Sequence, residues 1–178
     1  MTKPRILSTS VIAESRLFRV QAIDLAFSNG VEATFESVCM GGDGVVMVAA
    51  IDNGDELVMI REYAACQDRY ELGFVKGKID PGESPAISAE RELKEEIGFG
   101  TKDLKEIRKI SYSPAYTDLE THLFVARDLY PESAEGDEIE PLEQFRFPLS
   151  EIDHLLEHPE ITDVRVLMLL LQLQKQSI

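Results

Sequence analysis

Two hydrophobic rhythms divide the chain. Residues 18–27 alternate apolar and polar side chains, Ser28-Asn29-Gly30 turns, and residues 31–40 return. Asn29-Gly30 between two alternating runs is a strong hairpin signal. Gly41-Gly42-Asp43-Gly44 follows as a hinge. Residues 1–43 are therefore expected to form a small antiparallel β arm, and residues 44–178 the main domain. The arm is too short to hold a core alone, so it must pack on the main domain or on a second subunit.

After the hinge the rhythm changes. Residues 45–51 are almost continuously apolar, as in a strand covered on both faces. Asp52-Asn53-Gly54-Asp55 turns the chain into a second strand over 56–63, and a third is expected over 70–75, leading straight into Gly77. Further strands are expected at 105–112, 121–129 and 144–149, and helices at 150–157 and 162–174. The last helix reads as capped by Thr162, with an apolar face of Val166, Leu167, Leu170, Leu171 and Leu173. Strands interspersed with helices predict an α/β sandwich.

The stretch from Gly77 to Phe99 carries the candidate chemistry. Asp80-Pro81-Gly82-Glu83 predicts a tight turn. Ser84 as N-cap and Pro85 at the first helical position start a helix of three to four turns, and Gly98 stops it. At 100° per residue, Ala86, Ala89, Leu93 and Ile97 share one apolar stripe. Glu92 and Glu96 lie together at its edge, and Glu95 lies near the back, within reach of Arg91 four residues earlier. Glu92, Glu95 and Glu96 are mutual neighbours that repel one another, and two of them sit where the helix dipole disfavours anions. Such frustration beside a core face points to positive charge supplied from outside. Clustered carboxylate oxygens suit a hard cation such as Mg2+, which keeps waters and also binds substrate phosphates. A solvated acidic face is the alternative that these residues alone leave open.

Composition changes the picture in one respect. The net charge of −15 argues against nonspecific nucleic-acid binding and requires local cations wherever an anionic substrate docks. Cys39 and Cys66 have no metal or redox spacing and are expected to be buried free thiols. The chain begins without the apolar run of a signal peptide, and residues 166–171 are far too few to span a membrane, so a cytoplasmic protein without membrane contact is expected.

Residues 77–99 match the Nudix box, G-x5-E-x7-R-E-U-x-E-E-x-G-U with U aliphatic or aromatic, at every defined position: Gly77, Glu83, Arg91, Glu92, Leu93, Glu95, Glu96, Gly98 and Phe99. The chain thus resembles the Nudix hydrolases. The resemblance implies a Nudix α/β/α sandwich with a mixed sheet, and water attack on a pyrophosphate linked to a nucleoside, assisted by Mg2+ with Mn2+ as a possible substitute. It implies Glu92 and Glu96 as main metal ligands, Glu95 as ligand or general base, and the carbonyl of Lys76 as a further ligand. Arg91 would orient a carboxylate and Glu83 would support the site. Without a metal role, Glu83 would close the turn at the helix start.

Pro114 stands sixteen residues after Gly98, as in members similar to ADP-ribose pyrophosphatases, and Tyr112, Ser113 and Tyr116 around it resemble theirs. Glu135, in the acidic loop 135–140, is the best match to a catalytic-base glutamate, with Asp137 or Glu138 as fallbacks. The resemblance extends through 27–30, 60–63, 70–74 and 128–133 to bacterial ADP compounds hydrolases of the NudE type. It implies ADP-ribose, diadenosine polyphosphates or NADH as small-molecule substrates, AMP as product, and a homodimer built in part by the arm. Arg61, Tyr63 and Tyr116 become candidate contacts to phosphate or adenine, against the alternatives of a surface charge and edge aromatics. A hydrolase of nucleoside triphosphates or RNA caps, or a binding module without catalysis, stays open.

Overall fold

The computed structural model describes residues 2–136 and 139–176. At its N-terminus β1 (Arg5–Glu14), β2 (Arg19–Ala26) and β3 (Glu32–Cys39) form an antiparallel sheet in sequence order. At the expected hairpin, Gly30 has φ +82°, and its N–H donates to the Phe27 carbonyl at 3.0 Å. Asn29 accepts from the Val31 N–H at 3.1 Å through its side chain, so the two residues divide the work of a three-residue loop. The arm meets the rest of the chain at the end of β3. There Val38 N–H donates to the Tyr116 carbonyl at 2.8 Å, and Met40 N–H to Asp118 at 3.2 Å.

The main sheet contains β4 (Val45–Asp52), β5 (Glu56–Ala64), β6 (Arg69–Gly73), β7 (Val75–Lys78), β8 (Phe99–Ser111), β9 (Glu120–Pro131) and β10 (Glu143–Pro148). Its main order is β10-β5-β4-β9-β8, with β4 and β9 parallel and the other pairs antiparallel. β4 and β5 pair only beside their shared turn, Ala50 to Asp52 against Val58 to Glu56. Beyond that they diverge, and the wedge between them is filled by β6 on β5 and β7 on β4.

Alternation along β4 builds both layers. Met47, Ala49 and Ile51 face α2 (Ile152–Leu156) and α3 (Val164–Gln176), and join Leu169, Leu170 and Leu173 in one core. Val46, Val48 and Ala50 face the other way, onto Ala89, Leu93 and Ile97 of α1 (Pro85–Glu92) and the turn that continues it. Helices cover both faces of a mixed sheet, which is the expected α/β/α sandwich.

Some local expectations need correction. The strand expected at 70–75 is two strands, because the chain changes partner at buried Phe74. The helix cap is Asp163, whose carboxylate accepts the Arg165 N–H at 2.8 Å; Thr162 instead bonds Glu71 through its hydroxyl at 2.9 Å. On α3 Leu169 is buried and Leu171 exposed, so the apolar face is rotated from the expected one. On α1 Ala86 is exposed and Ser88 is buried, since the helix start overhangs the sheet and only its later turns lie on it.

Candidate active site at the box helix

The box begins as a strand edge. β7 delivers Lys76, Gly77 and Lys78, and the turn at 80–83 closes with the Glu83 N–H on the Asp80 carbonyl at 2.9 Å. Ser84 caps α1, its side chain accepting from the Ile87 N–H. The α-helix ends at Glu92, and Leu93–Ile97 form one π-helical turn that closes with the Gly98 N–H on the Leu93 carbonyl. Gly98 takes φ +77°. The wider turn falls on the crowded glutamates, a common place for such turns in functional sites.

Arg91 ties the carboxylates together. Its Nη1 donates to Glu92 at 2.7 Å and to Glu95 at 2.9 Å, its Nε to Glu83 at 3.3 Å, and its Nη2 to the Lys78 carbonyl at 2.9 Å. Burial alone would lower its pKa, but the hydrogen bonds and charges of Glu92 and Glu95 outweigh that and raise it. Glu83 is fixed from its other side by Ser88, whose hydroxyl donates at 2.7 Å. That hydrogen bond first, and then the Arg91 charge and hydrogen bond, overcome partial desolvation and hold the Glu83 carboxyl below its ordinary value.

Glu92 and Glu96 are buried. Glu96 accepts the Lys76 N–H at 3.0 Å. Glu92 lies against Gly77: a Cβ on Gly77 would stand 1.8 Å from Glu92 Oε1. The first box glycine thus leaves the room in which the carboxylate sits. In an extended strand one residue's N–H and C=O share an edge, so the Lys76 carbonyl faces the same side as Glu96.

The donors suit a hard divalent cation. They are oxygens only: two buried carboxylates, a third from Glu95 and a strand carbonyl. Among the described residues no group of three or more acidic, histidine or cysteine side chains is assembled as a metal cage on its own.

Two cavities open beside the box. The smaller, about 210 Å3, is lined by Gly77, Glu96, Lys76, Glu62 and Arg165 among others. The larger, about 550 Å3, lies between β6, the start of α3 and the β8–β9 turn, over a floor that includes Met47, Phe74 and Val166. Lys76 Nζ is paired with Glu62. Sequence reasoning missed Ser88, Glu62 and Arg165. Ser88 had a local signal, as a small polar residue five positions after Glu83; the other two meet the box only through the fold.

The remaining candidates fall in three places. Glu135 is exposed in the segment after β9, which lies along the end of the box helix. There the Glu132 N–H donates to the Gly98 carbonyl at 3.0 Å and the Ala134 N–H to the Lys94 carbonyl at 3.0 Å, and Gly136 packs against Glu95. Asp137 and Glu138 lie outside the described residues. Arg61 and Tyr63 belong to a cluster on β5 and β6: Arg61 forms a two-pronged pair with Glu160 at 2.8 and 3.0 Å and lies over the Tyr70 ring, while Tyr63 packs edge-on to Tyr70 and donates to Asp68 at 2.5 Å. Pro114 and Tyr116 are exposed on the β8–β9 turn, where the arm attaches. That turn also contributes Tyr112 and Leu119 to the larger cavity. The fold therefore brings the box residues together around Arg91 and the Lys76 N–H, whereas Arg61 and Tyr63 form a separate cluster.

Comparison with known proteins decides the family. A model of the NUDIX domain matches residues 42–168. This chain belongs to the Nudix hydrolase family. The arm has its own match, a NudE-type Nudix hydrolase N-terminal domain over residues 4–36. The chain is 49% identical to the ADP compounds hydrolase NudE of Escherichia coli (strain K12) over 93% of its own length and 88% of that protein's. It is 30% identical to the ADP-ribose pyrophosphatase of Bacillus subtilis (strain 168), over 89% of each chain. A crystal structure of an ADP compounds hydrolase superposes with a TM-score of 0.91 at 46% identity, covering 99% of this chain and 95% of the other. Nudix hydrolases generally need divalent metal ions, in keeping with the donor set around Gly77. No described helix is long and apolar enough to cross a membrane.

Proposed function

We propose that this Nudix hydrolase cleaves the pyrophosphate linkage of ADP-containing compounds, with ADP-ribose, diadenosine polyphosphates and NADH as candidate substrates, and releases AMP. The observation that carries the reading is the end-to-end similarity to an ADP compounds hydrolase, arm included, in a chain that carries every defined residue of the box.

In the reaction water attacks one phosphorus, the bridging P–O bond breaks, and each half leaves with a phosphate. A bound divalent ion, Mg2+ or in its place Mn2+, would neutralise phosphate charge and lower the pKa of water. Glu92, Glu96, Glu95 and the Lys76 carbonyl would hold it. Arg91 ties Glu83, Glu92 and Glu95 together through its hydrogen bonds, and with Ser88 it holds the Glu83 carboxyl below its ordinary value. Glu135 is our candidate to take the water proton, because its segment rests on the end of the box helix beside Glu95. Arg61, Tyr63, Pro114 and Tyr116 remain candidate nucleotide contacts, and Arg61 would have to give up part of its pairing with Glu160 to serve as one.

We further infer a homodimer. β1 is exposed at every position, and Ile6, Val11, Ile12 and Phe35 leave apolar surface uncovered on the arm. Cys39 is half-buried and Cys66 exposed, not buried as expected; both are free thiols, which agrees with a cytoplasmic location.

The test is AMP release from ADP-ribose and NADH with and without Mg2+, in the wild type and in Glu96→Gln. The substitution should lower kcat by at least about 10²-fold, the scale expected for losing a preorganised charge partner of the transition state. Unchanged turnover in Glu96→Gln would remove Glu96 from the metal site. Preference for nucleoside triphosphates by kcat/KM would replace the substrate assignment.

A further inference from the structure

We propose that Arg165, which lies outside the box on α3, binds the substrate's diphosphate at the throat between the two cavities. This rests on the reading that the substrate is a nucleotide carrying a diphosphate. The two cavities share the side chains of Glu62, Lys76 and Arg165. The smaller contains Gly77 and Glu96 of the box. The larger, at about 550 Å3, falls within the usual range for small-molecule sites. A nucleotide with its phosphates beside Glu96 and its organic half in the larger cavity must pass these three residues.

Charge argues the same way. With a net charge of −15, the chain must present cations wherever an anion docks. Arg165 and Lys76 are the cations at the throat. Arg165 also breaks a local rule, because it stands in the first turn of α3, where the helix dipole disfavours positive charge. An incoming phosphate is favoured by that same helix end and by the planar guanidinium fork.

The structure shows what holds the guanidinium meanwhile. Arg165 donates to Asp163 through Nε at 3.0 Å and Nη2 at 2.5 Å, while Asp163 caps α3. Burial would raise the Asp163 carboxyl, but the hydrogen bonds and charge of Arg165, together with the field of Lys76, hold it below its ordinary value. Both throat cations therefore act on one carboxylate, which keeps Arg165 in place and partly neutralised until a stronger anion arrives.

Calorimetric titration of α,β-methylene-ADP, which carries both phosphates and resists hydrolysis, tests this with and without Mg2+. Arg165→Ala should weaken binding by about 10- to 100-fold, the range for hydrogen bonds to a charged group. Arg165→Gln, which keeps most of the packed stem, carries the same expectation should the alanine variant fail to fold. Asp163→Asn keeps a capping side chain and removes the competing charge, so it should tighten binding. Equal affinity of wild type and Arg165→Gln in both conditions, or weaker binding in both the Arg165 and the Asp163 variants, overturns the proposal. Binding through Arg165 in a protein that leaves ADP-ribose intact would overturn only the catalytic reading. Hydrolysis of ADP-ribose with unchanged affinity in Arg165→Gln would overturn only the role of Arg165.

Discussion

The box helix and the arm treat their apolar residues in opposite ways. Ala89, Leu93 and Ile97 on the helix are buried by the chain's own sheet, and the carboxylates beside them are tied to Arg91 and to the Lys76 N–H. On the arm, Ile6, Val11, Ile12 and Phe35 are exposed, and among the described residues β1 pairs with β2 alone. An open edge strand with uncovered apolar side chains is a surface that proteins normally cover. One region is finished by its own sequence; the other is finished by something else, which we infer to be a second copy.

The sharpest way to break the finished region is to remove its empty space. Gly77→Ala would put a methyl group where the Glu92 carboxylate lies, 1.8 Å from Oε1. Strand and carboxylate cannot both stay, so Glu92 must swing away. Misplacing a catalytic group by about 1 Å costs about 10²-fold in rate, and kcat for Mg2+-dependent ADP-ribose hydrolysis should fall by that order. Near-normal kcat in this variant would mean that Glu92 is not needed where it stands.

The arm should respond in assembly. Ile12→Asp places a charge on the exposed apolar surface, and should weaken the dimer by at least about 5-fold, as for an interface residue worth more than about 1 kcal/mol. Sedimentation should show mass moving from twice 20.0 kDa toward 20.0 kDa. A wild type that sediments at 20.0 kDa at all concentrations would end the dimer reading and leave the arm's surface to another partner.

The same contrast explains what could be read from sequence. The box was legible because its signals are local: Ser84, Pro85 and Gly98 set the ends, and i,i+4 spacing pairs Arg91 with Glu95. What was missed depends on distant partners. The break at Phe74 is invisible in an apolar run, since it records only a change from β5 to β4 as neighbour. Thr162 had the right residue type and place for a cap, but Glu71, on β6, takes its hydroxyl. The local signal at Arg165 is only a misplaced charge in the first turn of α3, and its place on the cavity that Glu96 also lines exists only once α3 has docked.

The smallest effect tests whether the box is as self-sufficient as it looks. Ser88 is fully buried, and its hydroxyl is the first cause of the lowered Glu83 carboxyl. A depressed native pKa contributes stability that is fully present above the unfolded value, near 4.5, and is lost as pH falls through the native one. Ser88→Ala should therefore lower Tm at pH 7 by about 2–4 °C, the shift expected for one lost hydrogen bond in a chain of this size. The gap between wild type and variant should narrow as pH drops below the unfolded value, because protonated Glu83 no longer gains from the hydroxyl in either protein. A gap that stays constant from pH 7 to acid would show that Ser88 matters only for packing, and that Arg91 alone keeps Glu83 in place.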